Sequence, residues 1–429
     1  MPLSRRQLLI RGGRLAVASA AGGLWSLDRL AGAARASEGL RKCISLGGPG
    51  SLRQDGHPDD YRLWGNREFI RDASETRWIK LWVSWHDLQQ ELGFPPPSRG
   101  DSWRHLNGAP GGQGWLRRLD GQVRAANEDR LGVTVTLYHA YPTWASGATG
   151  PDPVDPSKPP EHKLPLDVSP DGPWAWFVAY LIARYRKGSR PNPFGPEGAL
   201  TEITVGYDPL FGNPDGAAID ALEICNEPNQ LAWPQEGVVE ATAQMIRSAT
   251  QLSAAWGGTP ILAPATSDFP GSTARDPRGV KATGWSDFTL GVLDALAGYR
   301  ATVPLRWSHH NYHDVRLGTS RAQDVLAMLH GARWRSDVAP LWLTEGGLNL
   351  GRRADDPARR ELQARAIEQS FRQTMTLPEI YLWTQHTIND KAGNDFKSGL
   401  RDDFDWGHGP GRERPAWSAW RDLPGAPAP

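Results

Sequence analysis

Eight short apolar runs recur along the chain, helical patterns fall between most of them, and two of the runs end in a glutamate followed at once by turn-forming residues; together these predict a single (β/α)8 barrel. The first run is Lys42-Cys43-Ile44-Ser45-Leu46, closed by Gly47-Gly48, and the second is Trp78 to Trp85. Val133 to Tyr138 is the third, followed by His139 and a turn at Pro142. The fourth, Ala221-Leu222-Glu223-Ile224-Cys225, leads into Asn226-Glu227-Pro228-Asn229; Pro228 cannot donate to a ladder, so the strand has to stop there. Pro260 to Pro264 is the fifth, and Leu305 to Ser308, leading into His309-His310-Asn311-Tyr312, is the sixth. The seventh, Pro340 to Thr344, runs into Glu345-Gly346-Gly347, and Ile380 to Thr384 is the eighth.

The intervening segments carry helical spacing. After Pro173, the set Trp174, Phe177, Val178, Leu181, Ile182 and Tyr185 follows i, i+3, i+4, i+7, with Pro173 suited to the first turn and Gly188 to the stop. Val238 to Trp256, ended by Gly257-Gly258, is a second helix, and Ala358 to Thr374 a third. The tail from Arg414 to Trp420 is expected to begin a final helix that closes the barrel. Two Pro- and Gly-rich stretches, Phe94 to Gly114 and Gly147 to Gly172, follow strand ends and are expected to be loops walling a cleft on the catalytic face; Ser189 to Pro214 is expected on the opposite face.

Composition narrows the function classes. Lys plus Arg and Asp plus Glu both number 48, and this zero formal charge argues against nucleic acid or an anionic membrane as the main partner. Two cysteines cannot build a disulfide framework. Tryptophan occurs 20 times; most are expected in the core, others in a cleft where flat indole faces stack on sugar rings. No stretch after the N-terminus is long and apolar enough to span a bilayer, and a monomer is expected. Ser4-Arg5-Arg6-Gln7-Leu8-Leu9, a weakly apolar segment and Ala34-Arg35-Ala36 form a twin-arginine signal pattern, so residues 1–36 are expected to be a signal peptide and 37–429 the folded domain, exported to the periplasm or beyond.

The chemistry centres on Glu227 and Glu345. Each is expected at the carboxyl end of a strand, and two carboxylates facing across a cleft are the minimum equipment for hydrolysing a glycosidic bond. Glu223 shares a strand face with Glu227 and is expected to be structural, paired with Lys80 or Arg77. His139 is a candidate substrate ligand or a strand-end cap. The cluster His309-His310-x-x-His313-Asp314 lacks the zinc-helix pattern, so no metal and no cofactor is expected.

These motifs resemble clan A glycoside hydrolases, similar to families 5 and 39. Asn226-Glu227-Pro228 resembles that clan's acid/base motif, Thr344-Glu345-Gly346 its nucleophile motif, and His310-Asn311-Tyr312 its His-x-Tyr. Trp383 falls where the clan keeps a tryptophan under the sugar, and Lys80 where family 5 keeps an arginine. The resemblance implies a retaining β-glycosidase acting on an oligo- or polysaccharide. Glu345 attacks, Glu227 serves as acid and then base with the carboxyls about 5 Å apart, and Tyr312 donates to Glu345. Asn226, His310, Trp383, His139 and Lys80 are then substrate-side residues. The alternatives are a carbohydrate-binding barrel that has lost catalysis and a transglycosylase using the same residues.

Overall fold

The computed structural model describes residues 39–48, 52–53, 55–108, 110–153, 155–188, 213, 215–270, 282–334, 340–404 and 409–426. The signal pattern and most of the Ser189–Pro214 insertion lie outside the described residues. Eight parallel strands close into a barrel, each hydrogen-bonded to its sequence neighbours and the last to the first: β1 Arg41–Ser45, β2 Trp78–Val83, β3 Gly132–Leu137, β4 Ala221–Glu223, β5 Ile261–Leu262, β6 Leu305–His310, β7 Leu341–Gly346 and β8 Ile380–His386. This is the expected (β/α)8 fold. The strands are nearly continuous buried runs because the interior covers one face and the helical shell the other. No helix among the described residues is long and apolar enough to cross a membrane.

The interior is layered. Cys43, Trp78, Ala221, Leu262, Trp342 and Leu382 pack as an apolar lower layer, and the ionisable side chains Lys80, Glu223, His310 and Glu345 stand beyond it, toward the carboxyl ends of the strands. Gly132 makes room for this floor: a Cβ there would lie 2.1 Å from the Trp78 ring, whose Nε1 donates to Thr134 Oγ1 at 2.8 Å.

The helical shell follows the apolar periodicity. Pro173–Arg184, Val238–Trp256 and Pro357–Thr374 are helices. The tail forms Pro415–Asp422, and Lys42 on β1 ties it down, donating to the carbonyls of Trp420 at 2.7 Å and Leu423 at 2.8 Å. The stretch Phe94 to Gly114 is not a loop. Helices span Arg99–Gly108 and Pro110–Glu128, so it does not wall a cleft as an irregular segment. Ser98 starts the first of them, bonding Asp101 N at 3.2 Å and Asp101 Oδ2 at 2.7 Å, and Pro110 is tolerated at the opening of the second. Residues 147–172 do remain largely irregular and pack on the turn after Glu227: Leu164 N donates to Trp233 O, Trp233 N to His162 O, and Trp233 Nε1 to Pro159 O at 3.1 Å.

Gly132→Ala should therefore overpack the barrel floor and lower stability by about 1–3 kcal/mol, read as a lower denaturation midpoint with an unchanged slope. An unchanged midpoint would mean that Trp78 has room to yield.

Candidate active site

Two backbone irregularities aim two carboxylates at one space. In β7 the pairing jumps from His309↔Leu343 to His310↔Glu345, so β7 holds one extra residue, Thr344. The bulge lets Glu345 face the interior although Trp342, three residues earlier, already does; regular alternation would have turned Glu345 outward. Beyond β4 the chain keeps one bridge, Asn226↔Ala265, and then turns at Glu227 with φ of +46°. A left-handed glutamate is sterically costly and persists only where its surroundings impose it. Here Glu227 N donates to Ala265 O at 3.0 Å, and Gln230 N and Leu231 N donate to Glu227 O.

Glu345 is the more enclosed of the two. Lys80 Nζ lies 3.0 Å from its Oε1, Tyr312 OH donates to Oε2 at 2.9 Å, and its side chain is 7% exposed. Lys80 also lies 3.0 Å from Glu223 Oε2, which accepts from Thr136 Oγ1 at 2.7 Å, so the structural pairing expected for Glu223 is with Lys80. Burial acts against the Lys80 ammonium, but Glu223 and Glu345 outweigh it and raise its ionisation above the usual lysine value. Burial likewise opposes the Glu345 anion, and the charges of His310 and Lys80 outweigh that, holding the carboxyl well below the ordinary range.

His310 stands between the two glutamates. Its Nδ1 is 2.8 Å from Glu227 Oε1 and its Nε2 is 3.4 Å from Glu345 Oε1, the second an ion-pair contact longer than a good hydrogen bond. Burial opposes its charge, but both carboxylates favour it and raise its ionisation; only Nδ1 is hydrogen-bonded, to Glu227, while Nε2 has no hydrogen-bond partner among the described residues. Glu227, with its side chain 16% exposed, is the more accessible carboxylate. Asn226 is buried beside it, and its Oδ1 has no hydrogen-bond partner among the described residues.

Four expected substrate-side residues take other places. His310 is fully buried between the two glutamates, with Nδ1 hydrogen-bonded to Glu227. Lys80, 1% exposed, lies beneath Glu345 and between two anions, out of reach of a ligand in the cleft. Trp383 is fully buried in the outer core against Phe371 and Trp420, because the inward set on β8 is Leu382, Thr384 and His386. It acts on the site at one remove: with the Asn311 amide oriented to satisfy both partners, Trp383 Nε1 donates to Asn311 at 2.7 Å and Asn311 donates to Glu345 O at 2.9 Å. Gly346 leaves space for that amide, since a Cβ would meet it at 2.1 Å. His139 is 2% exposed, packed on Tyr138 and His162, with burial pushing its ionisation well below the usual histidine value. His309 turns to Trp285 and His313 to Thr319, so the three neighbouring histidines do not converge.

Tyr138 and His386 stand near the pair without a motif in the sequence to mark them. Thr134 and Thr136 set the inward parity of β3, which continues to Tyr138. Burial and the nearby Glu227 carboxylate push its phenol up to about 12. His386 Nδ1 lies 3.2 Å from Ser45 Oγ and 3.8 Å from Glu345 Oε2, and burial pushes its imidazole down to about 4, leaving a neutral ring beside the anion.

No protein-family model matches the chain, and no curated protein matches it. Solved structures align with the chain at low identity. A trimodular endoglucanase of the GH5_4 subfamily aligns at 11% identity and TM-score 0.44, over 81% of this chain; the match spans only 56% of that chain. An endoglucanase from Pseudomonas stutzeri aligns at 13% identity and TM-score 0.47, over 91% of this chain and 97% of its own. An intracellular xylanase from Thermoanaerobacterium saccharolyticum aligns at 12% identity and TM-score 0.48, over 90% and 97%. At these values the likeness says nothing of the reaction, which rests on the side chains themselves.

The charged cluster gives a signed pH dependence. Glu345, its ionisation lowered from 4.5, contributes stability above that pH and loses it on acidification. His310, raised from 6.5, contributes below that pH and loses it as pH climbs through its raised value. Thermal unfolding should show the cluster's largest contribution between these two values, and Glu345→Gln should flatten the acid limb. Equal acid limbs in the variant and the wild type would contradict the assignment.

Proposed function

We propose that the chain is a retaining β-glycosidase acting on an oligo- or polysaccharide, with Glu345 as nucleophile and Glu227 as acid/base. The observation that carries this is the asymmetry of the pair: one carboxylate is locked as an anion by Lys80 and Tyr312, and the other, across His310, is accessible. Glu345 attacks the anomeric carbon while the glycosidic C–O bond breaks and Glu227 passes its proton to the leaving oxygen. Water then attacks the glycosyl ester as Glu227 takes the proton back, and Glu345 departs as carboxylate. Asn226, whose buried oxygen has no partner among the described residues, is offered to a sugar hydroxyl beside the cleaved bond. Tyr138, next in the inward parity of β3, lies near enough to Glu227 to feel its charge. We further propose that residues 1–36 are a twin-arginine signal peptide ahead of a catalytic domain at 37–429, supported by the Arg5-Arg6 pattern and the Ala34-Arg35-Ala36 site.

A hydrolysis screen over aryl glycosides and polysaccharides tests the assignment. Glu345→Ala and Glu227→Ala should each lose at least a thousandfold in kcat on a natural glycan, with melting transitions still cooperative. The first product should carry the substrate's own anomeric configuration when followed by proton NMR. Wild-type turnover in Glu345→Ala, or inverted product, would contradict the mechanism.

A further inference from the structure

A charged imidazole beside a carboxyl stabilises its anion, whereas an acid must keep its proton until the leaving oxygen takes it. Glu227, the acid proposed above, has His310 Nδ1 2.8 Å from its Oε1. A third carboxyl approaches this pair from the strand between them. The chain beyond β5 runs on as a wedge: Ala265 bridges Asn226 on one side, and Thr266 bridges His309 on the other. Glu227 N donates to Ala265 O at 3.0 Å and His310 N to Thr266 O at 2.9 Å, so both members of the pair hang from adjacent residues of the wedge. Ser267 N donates to Asn229 Oδ1 at 2.9 Å and Asn229 Nδ2 to Ser267 O at 3.1 Å, which locks the wedge to the turn bearing Glu227. Asp268 comes next. Its Oδ2 accepts from His313 N, in the short helix Tyr312–Leu317, and Arg321 Nη1 donates to its carbonyl. Burial pushes the Asp268 carboxyl up to about 6 against the opposing His313 amide and Arg321, and the charges of Glu227 and His310 both act on it. Its charge also reaches Tyr312, whose hydroxyl donates to Glu345.

We propose that Asp268 is a positioning residue for proton transfer, a fixed negative charge on the β5 side of Glu227 that offsets the His310 cation and keeps the acid proton in place. This rests on the hydrolase reading above. The sign follows from the charges. An anion near Glu227 makes a second anion there costlier, and the same anion near His310 makes the imidazolium cheaper. Both effects favour the state that the first step uses, with Glu227 protonated and His310 charged. The hydrogen bond from His313 does not account for the residue type, because a neutral side chain accepts from an amide equally well, while a carboxylate partly taken out of water costs more. Arg321 offsets part of that cost and is itself shared with Asp314, whose Oδ1 accepts from Arg321 N at 2.7 Å. Below about pH 6 the Asp268 charge fades, so its influence belongs to the neutral and alkaline range, where an acid is at risk of losing its proton.

The test is the pH profile of kcat/KM for full-length Asp268→Asn, Asp268→Glu and Asp355→Asn on two substrates of the best sugar in the hydrolysis screen. One is a natural glycan, whose leaving sugar needs the acid; the other is a dinitrophenyl glycoside, whose leaving group departs without one. Asparagine can still accept from His313 N. Asp355, fully exposed ahead of the helix Pro357–Thr374, controls for the loss of one negative charge elsewhere. Asp268→Asn should move the alkaline limb on the glycan down by about one pH unit and leave the dinitrophenyl limb in place. Asp268→Glu and Asp355→Asn should keep the wild-type limb on both. Asp268→Ser is a second neutral variant with the same expected shift, used where Asp268→Asn does not melt cooperatively. A glycan limb that neutral variants leave unmoved, a limb that moves equally on both substrates, or activity lost evenly at every pH overturns this inference and leaves the hydrolase reading standing. A wild type that cleaves no glycoside overturns both.

Discussion

One buried ammonium organises the centre of this barrel. Lys80 stands on β2 with carboxylates from β4 and β7 each 3.0 Å away, and it is 1% exposed. Burying any one of these charges alone would cost several kcal/mol, so none of the three is stable there without the others. A lysine suits the position. Its compact charge can serve two anions arriving from different directions, whereas an arginine fork matches one carboxylate edge-on. The surplus negative charge is what His310 answers, and its second nitrogen brings Glu227 into the same network. Four strands are thus tied by charge above a largely apolar floor.

The two glutamates are made unequal by the backbone that presents them. A bulge turns Glu345 into the barrel, where cations surround it. A left-handed turn lifts Glu227 beyond the end of β4, where its only close cationic partner in the described residues is the shared imidazole. Packing further out supports both. Asn311 ties the Glu345 carbonyl to Trp383, and Ala265 holds the Glu227 amide.

The barrel was legible because each strand is a short apolar run cut off by residues that cannot continue it, and Val238–Trp256 was legible to the residue because its apolar stripe ends at paired glycines. Arg99–Gly108 was not, since Pro and Gly nearby mask a start made by one serine and one aspartate. The nearness of Glu227 and Glu345 was legible because a glutamate at the end of an apolar run stands out from it. Legibility failed where facing decides. Tyr381, Leu382 and Trp383 are all apolar, so hydrophobicity cannot say which of them points inward in a strand covered on both faces. The same ambiguity separates Tyr138 from His139. Height is also invisible in sequence: Lys80 does face inward, one layer too deep to meet a ligand.

The most direct test of the account is to trap the covalent intermediate. The full-length protein would be incubated with a panel of 2-deoxy-2-fluoro pyranosides carrying good leaving groups, weighed intact and then mapped by peptide mass spectrometry. One sugar per chain is expected, on the peptide containing Glu345, and it should disappear on adding an acceptor that restores turnover. A label on Glu227, or steady release of sugar with no labelled chain at any time, would contradict it.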